Sequence, residues 1–378
     1  MKQVFTVLVV ISLLLTAVII AWCIEKQQAV SPENVPVVIT TIKTPTVIET
    51  QHVPVMPAYT PTPLDVGKEN RSVQLRDWIY VLRGNRGIVT APLYKEIYEY
   101  QQTLEDKSRC YRYIGDFTPC NSEETHNYYM SYLNEKQQVY GMDQLIDQIR
   151  SQTSDPDDQV RIAVSLVQNI PYQKDVEDIY NIQYPYETLY RNSGVCSDKS
   201  VLLVYILRDL GYESAVLSFR DENHAVVGIR TQPDYTYKQT GYAFIETTNP
   251  AIITDSNSRY TEIGTLSSDP MVITLSSGKS LDNLTEEYGD ASAYTQIMNN
   301  GHNNSPLVYR EWETLVWKYG LLVSENTSIT EDPRNKPLCD GDRYCNGQCY
   351  TECDMPEAVW SCTEQGGVCL VTEEVVIP

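Results

Sequence analysis

The middle of the chain carries a turn, an apolar helix and then a change of period from helix to strand, and this order restricts what it can fold into. Ser193-Gly194-Val195-Cys196-Ser197-Asp198-Lys199-Ser200 opens the run VLLVYILRDLG, which stops at Gly211. Ser193 and Gly194 make the turn, and Asp198 falls in the first helical turn, where a carboxylate is favourable. Beyond Gly211 the period becomes two. Ala215 to Phe219 reads as a strand, Arg220-Asp221-Glu222-Asn223 as a turn, His224 to Arg230 as a second strand, and Gly241 to Thr248 as a third with Glu246 near its end. Strands joined by so short a turn pair antiparallel. The expectation is an α+β domain in which a cysteine-bearing helix packs on an antiparallel sheet.

The cysteines divide into groups. Of ten, six crowd the C-terminus: Cys339, Cys345, Cys349, Cys353, Cys362 and Cys369. They contain no C-x-x-C, and the four histidines of the chain (His52, His126, His224 and His302) all lie elsewhere. This predicts a small disulfide-stapled module in an oxidising compartment rather than a zinc site. Cys110 and Cys120 flank CYRYIGDFTPC and are expected to close a loop, worth roughly 2–3 kcal/mol in the chain-entropy account. Two cysteines are left over. Cys23 sits at the end of an apolar segment. Cys196 sits at a helix N-terminus, where unpaired N–H groups and the positive dipole end stabilise a thiolate. The Cys196 backbone N–H is placed to form part of an oxyanion hole. An unpaired exported cysteine is either a nucleophile or a buried inert thiol.

Three local strings resemble the transglutaminase-like superfamily, which has a papain-like thiol fold. They are Gly194-Val195-Cys196-Ser197-Asp198, His224-Ala225-Val226-Val227 and Glu246-Thr247-Thr248-Asn249-Pro250. The lead-in Val167-Gln168-Asn169-Ile170-Pro171-Tyr172 is similar too, so the resemblance covers Asp157 to Pro250. With YPYETL before the cysteine and IETT at the acid, the string resembles archaeal members anchored by one N-terminal helix. One departure is Glu246, where most members carry Asp. The resemblance implies a transglutaminase-like, cysteine-protease-like domain with Cys196 as nucleophile, His224 as base and Glu246 as orienting acid. Gln173 and Asp198 are candidates for oxyanion or supporting roles. It implies attack on an amide carbonyl and a thioester, resolved by water in a peptidase or amidase, or by an amine in a cross-linking enzyme. A non-catalytic surface binding or scaffold protein that keeps the fold is the reading from another class. No metal or cofactor is called for.

The remaining segments set the surroundings. Val4 to Trp22 is uncharged and apolar, long enough at about 1.5 Å per helical residue to cross about 30 Å of hydrocarbon. Lys2 before it predicts a cytoplasmic N-terminus and an extracytoplasmic body. A cleaved signal peptide is the alternative, but Ile20-Ala21-Trp22-Cys23 offers no small-residue cleavage site. Residues 24–70 are rich in Pro, Thr and Val and read as an extended stalk. The expected organisation is 1–3 cytoplasmic, 4–23 transmembrane, 24–70 stalk, 71–335 transglutaminase-like domain with its core at 157–250, and 336–378 cysteine-rich module. Within the domain, Val73 to Arg150 reads as short helices, with Leu75, Trp78, Ile79 and Leu82 at helical spacing and Tyr94, Ile97, Tyr98 and Tyr100 more loosely so. A clear helix runs from Asp157 to Asn169 behind the capping signal Ser154-Asp155-Pro156. Further helical additions are expected at Leu281 to Tyr288, Tyr294 to Met298 and Val308 to Trp317. A net charge of −21 repels phosphate backbones, so nucleic acid is not an expected partner. The expected partners are a peptide or protein substrate at the cell surface and, through the N-terminal helix, the membrane.

Overall fold

The computed structural model describes residues 72–104, 111–114, 116–173, 182–257, 265–301, 305–322, 329, 331–335, 344–345, 348–349, 358–363 and 366–371. The expected anchor and stalk, Cys23, Cys110, Cys339 and Cys353 lie outside these residues. Among the described residues no helix is long and apolar enough to cross a membrane.

The first described element is a β-hairpin, β1 (Val73–Leu82) and β2 (Asn85–Tyr94), which overturns the helical reading of Leu75, Trp78, Ile79 and Leu82. Arg83 and Gly84 close it with φ of 50° and 81°, the two-residue geometry whose twist matches a strand pair. Neighbouring strand residues face opposite sides. Accordingly Trp78 is 4% exposed, while Ile79 is 48% and Leu75 70% exposed. The aromatic and β-branched content of β1 suits a strand, and the turn decides what the apolar spacing left ambiguous. Polar contacts dock the hairpin. The Val81 N–H donates to Ser165 Oγ at 2.8 Å, and Trp78 Nε1 donates to Asn192 Oδ1 at 3.1 Å. Both Arg83 terminal nitrogens donate to the Asp158 carboxylate, at 2.8 and 2.7 Å.

Helix α1 (Lys95–Thr103), a short hairpin of β3 (Tyr111–Ile114) and β4 (Asp116–Pro119), and helices α2 (Ser122–Leu133) and α3 (Val139–Gln152) follow. Cys120 is disulfide-bonded. Helix α4 (Pro156–Gln168) begins as its capping signal predicts: the Asp155 side chain accepts from the N–H groups of Asp157 and Asp158, with Pro156 in the first turn. Helices α5 (Pro185–Arg191) and α6 (Cys196–Asp209) lead to the sheet. Its strands are β5 (Ser214–Phe219), β6 (His224–Arg230), β7 (Tyr242–Ile245) and β8 (Met271–Thr274), in the order β7-β6-β5-β8 and antiparallel throughout. The edge strand β8 is not among the elements expected from the sequence. The expected piece Tyr294 to Met298 and the second half of Leu281 to Tyr288 fall in one helix, α7 (Thr285–Asn300), with Leu281 to Leu284 outside it, and the third piece is α8 (Pro306–Tyr319). In the cysteine-rich region, β9 (Tyr344–Cys345) pairs with β10 (Gln348–Cys349), and β11 (Ala358–Thr363) with β12 (Gly366–Val371).

The core is built around α6. Every residue from Asp198 to Leu207 is buried, because α4, α5, β5 and β6 all pack against this helix, and from Val201 onward the buried run is apolar or aromatic. Burying the helix fixes its N-terminus, and therefore Cys196, relative to the first residue of β6, which is His224.

The hairpin assignment makes a direct prediction. Trp78→Ala should lower stability by about 3–5 kcal/mol in urea unfolding, whereas Leu75→Ala should stay within about 0.5 kcal/mol of the parent. Equal losses at both positions would restore the shared helical face.

Candidate active site

The nucleophile candidate is held by the turn that precedes α6. Asp198 reaches back from the first helical turn, its Oδ2 accepting from the Val195 N–H at 2.9 Å and its Oδ1 from the Gln183 N–H at 2.8 Å. Gly194 is required for this closure, because a Cβ there would sit 2.9 Å from the Asp198 Cβ and 3.1 Å from Thr188 Cγ2. Burial pushes the Asp198 carboxyl up to about 6, against the pull of its two backbone donors. A carboxylate spent on two main-chain donors supports the turn and has no donor of its own to offer an oxyanion. Cys196 opens the helix as a free, partly exposed thiol.

The base candidate is set by a four-residue loop. Arg220 to Asn223 joins β5 to β6, the Asn223 N–H donating to the Arg220 carbonyl at 3.2 Å. Asn223 takes φ of 50°, a left-handed conformation that asparagine tolerates better than most residues. The next residue is His224, paired with Phe219 across the ladder. The orienting acid comes from the neighbouring strand, immediately after β7 ends.

His224 and Glu246 meet in the interior. Nε2 of His224 lies 2.9 Å from Glu246 Oε2, with the two side chains 0% and 1% exposed. The other carboxylate oxygen, Oε1, accepts from the Thr247 N–H at 2.9 Å, the Thr248 N–H at 2.8 Å and the Thr248 hydroxyl at 2.7 Å. Burial alone would raise the Glu246 carboxyl. The hydrogen bond and charge of His224 and the Thr248 donors outweigh it and hold the carboxyl below its ordinary value. An ionised carboxylate only accepts, so Nε2 carries the proton and Nδ1 is left as the basic nitrogen. Burial pulls the His224 proton affinity down, but the interactions with Cys196 and Glu246, which carry opposite charge when ionised, lift it to about 10. Cysteine, histidine and glutamate are thus brought together. The longer arm of glutamate, compared with aspartate, still reaches the ring.

Gln173 is brought to the same turn from α4's side. Its N–H donates to the Gly194 carbonyl at 3.1 Å, and its Oε1 accepts from Gln183 Nε2 at 3.4 Å. Gln168 donates to the Glu246 carbonyl, Lys199 to the Thr248 carbonyl and Thr248 to the Glu246 carboxylate, and none of the three was singled out from sequence. A lysine in the first turn of an otherwise apolar helix is a signal that could have found Lys199. A threonine two residues after the acid, within reach of its carboxylate, could have found Thr248. Of the disulfide candidates, Cys345, Cys349, Cys362 and Cys369 lie on β9, β10, β11 and β12 respectively.

Residues 143–246 match the family model described as the transglutaminase-like superfamily. The matched stretch includes the cysteine, the histidine and the glutamate. A crystal structure from Cytophaga hutchinsonii, described as a "putative cysteine protease", aligns over 55% of this chain and 69% of its own, at 10% identity and a TM-score of 0.23. No curated protein matches the chain.

The raised proton affinity of His224 has a signed consequence. In the unfolded chain the ring titrates near 6.5 and in the folded protein near 10. Its contribution to stability is therefore fully present below the unfolded value and is lost as pH rises through the folded one. The stability advantage of the parent over His224→Gln, measured by urea unfolding, should be largest near the low end of a range from about pH 6 to about pH 10 and shrink towards the high end. An advantage that does not vary with pH would contradict a protonated buried ring.

Proposed function

We propose that the chain is an extracytoplasmic thiol enzyme that cleaves peptide or amide bonds through Cys196, His224 and Glu246. The observation that carries this reading is the juxtaposition of a free thiol at the start of a buried helix with an imidazole whose far nitrogen is locked by a buried carboxylate. A ring held only for packing has no need of a carboxylate already saturated by three other donors.

The chemistry follows from the parts. Nδ1 of His224 takes the Cys196 proton, and the resulting imidazolium sits beside the thiolate with Glu246 opposite its charge. The sulfur attacks the amide carbonyl carbon. Charge gathering on the carbonyl oxygen is met by the Cys196 backbone N–H, one of the first-turn donors for which a helix provides no internal acceptor. Gln173 is a further donor candidate on the same turn. As the C–N bond breaks, the imidazolium returns its proton to the leaving amine, and a thioester remains on Cys196. Water attacks that thioester, giving its proton to His224, and the acid and the thiol are released. An amine in place of water gives cross-linking through the same intermediate. Water is present at about 55 M and needs no binding site, so hydrolysis is the favoured outcome.

The N-terminal apolar segment and the Pro/Thr-rich stretch complete the proposal. They anchor the enzyme and hold residues 71–335 off the outer face of the membrane, where the substrate is a peptide or protein of the cell surface.

Mass spectrometry of the protein mixed with an activated ester of an acyl amino acid tests the reading. A single acyl adduct on Cys196 should form in the parent and vanish in Cys196→Ala. It should form more slowly in His224→Ala by about 10²-fold or more, the usual contribution of a positioned general base. Adding a primary amine separates the two resolutions of the thioester: a free acid marks hydrolysis, an amide marks transfer. No adduct in the folded parent would leave a surface-binding protein built on the fold.

A further inference from the structure

Lys199 lies one helical turn beyond Cys196 on α6 and is fully buried. Burial pulls the Lys199 amine down to about 7, and in either protonation state its N–H donors need acceptors once they are removed from water. Its Nζ donates to the Ile170 carbonyl at 2.6 Å, the Thr248 carbonyl at 2.9 Å and the Gln168 carbonyl at 3.2 Å. These acceptors belong to two separate segments. Gln168 and Ile170 end α4 and begin the lead-in to Gln173. Thr248 belongs to the loop that leaves β7 and carries Glu246.

The contact with Thr248 matters because of what else Thr248 does. Its N–H and hydroxyl both donate to Glu246 Oε1. Gln168 closes the same loop from the other side, its Nε2 donating to the Glu246 carbonyl at 2.8 Å and the Ala251 carbonyl at 3.0 Å. A closed circuit results. It runs from the cysteine helix through Lys199 to Thr248, through Thr248 to Glu246, through Glu246 to His224, and back to Cys196. Removing a lysine amine from water is costly before its partners are counted, and a methionine of similar length would fill the space without that cost. Packing alone therefore does not account for a lysine here.

We propose that Lys199 is a positioning residue that locks the Glu246 loop to the Cys196 helix, so that Glu246 presents one fixed oxygen to the His224 ring. This rests on the Cys-His-Glu reading above. Removing the lysine leaves three carbonyls without their donor and frees the loop to move, and a base displaced by about 1 Å is enough to slow a reaction markedly.

The test uses Lys199→Met and Lys199→Gln in the full chain. One readout is the downfield imidazole N–H resonance of His224, assigned by its disappearance in His224→Asn. The other is the alkylation rate of Cys196 by iodoacetamide at neutral pH, assigned with Cys196→Ala. In Lys199→Met the resonance should broaden or vanish and the rate should fall by about ten- to hundredfold, with cooperative unfolding retained. Lys199→Gln, which keeps two N–H donors, should recover part of both. A folded Lys199→Met whose resonance and rate equal the parent's, with only its melting temperature lowered, would overturn the proposal. Should Lys199→Met not fold, Lys199→Gln decides alone: reduced rate and weakened resonance support the lock, parental values for both overturn it. The resonance reports on the lock even if the parent thiol proves insensitive to His224, so a failure of the Cys-His-Glu reading is seen separately.

Discussion

The pair formed by His224 and Glu246 is the contact on which the rest of the site depends. Two ionisable side chains with essentially no exposure face one another at 2.9 Å. Desolvation opposes both charges, and the attraction between them offsets that cost only when the remaining hydrogen-bonding capacity is also filled. Three donors from Thr247 and Thr248 fill it on the carboxylate, and the Cys196 thiol sits against the ring. Breaking any one link leaves a buried charge short of a partner, and such losses are among the most costly single changes in a protein. The pair therefore constrains the strands that carry it as much as they constrain the pair.

Those strands owe their placement to α6. A helix buried on every side has no freedom to slide, and its first residue is the thiol. β6 packs on that helix and begins with the imidazole, and β7 pairs with β6, Val227 opposite Ile245, and delivers the carboxylate one residue beyond its end. The site is thus the corner where one helix N-terminus and two strand ends converge. The corner is stiffened from outside the sheet by the end of α4, through Gln168 and Lys199. The β1–β2 hairpin covers α4 in turn, through Ser165 and Asp158, so the additions before the matched stretch brace the helix that braces the site.

The corner was legible in the sequence because each of its parts announces itself locally. A Ser-Gly turn ahead of an apolar run marks the helix start, and a switch to period two marks the strands. A polar four-residue turn places the histidine at a strand's first position. The β1–β2 hairpin was not legible, because Leu75, Trp78, Ile79 and Leu82 also satisfy a helical spacing. What decides against it is the left-handed pair Arg83 and Gly84, and arginine gives no warning of that conformation. β8 is a four-residue edge strand defined by its partner β5 rather than by its own pattern. Lys199 and Gln168 escaped for a different reason: most of their acceptors are main-chain carbonyls of segments distant in sequence, and a carbonyl has no side-chain signature. Glu246 beside two threonines was visible, though the use made of Thr248 was not.

The central claim is that His224, held by Glu246, activates the thiol of Cys196. The most direct measurement is the rate of alkylation of Cys196 as a function of pH in the purified protein, with Cys196→Ala to assign the signal and His224→Ala as the comparison. Cys196 should alkylate fast at neutral pH and slow in His224→Ala. A Cys196 that reacts slowly at neutral pH and at the same rate without His224 would contradict it.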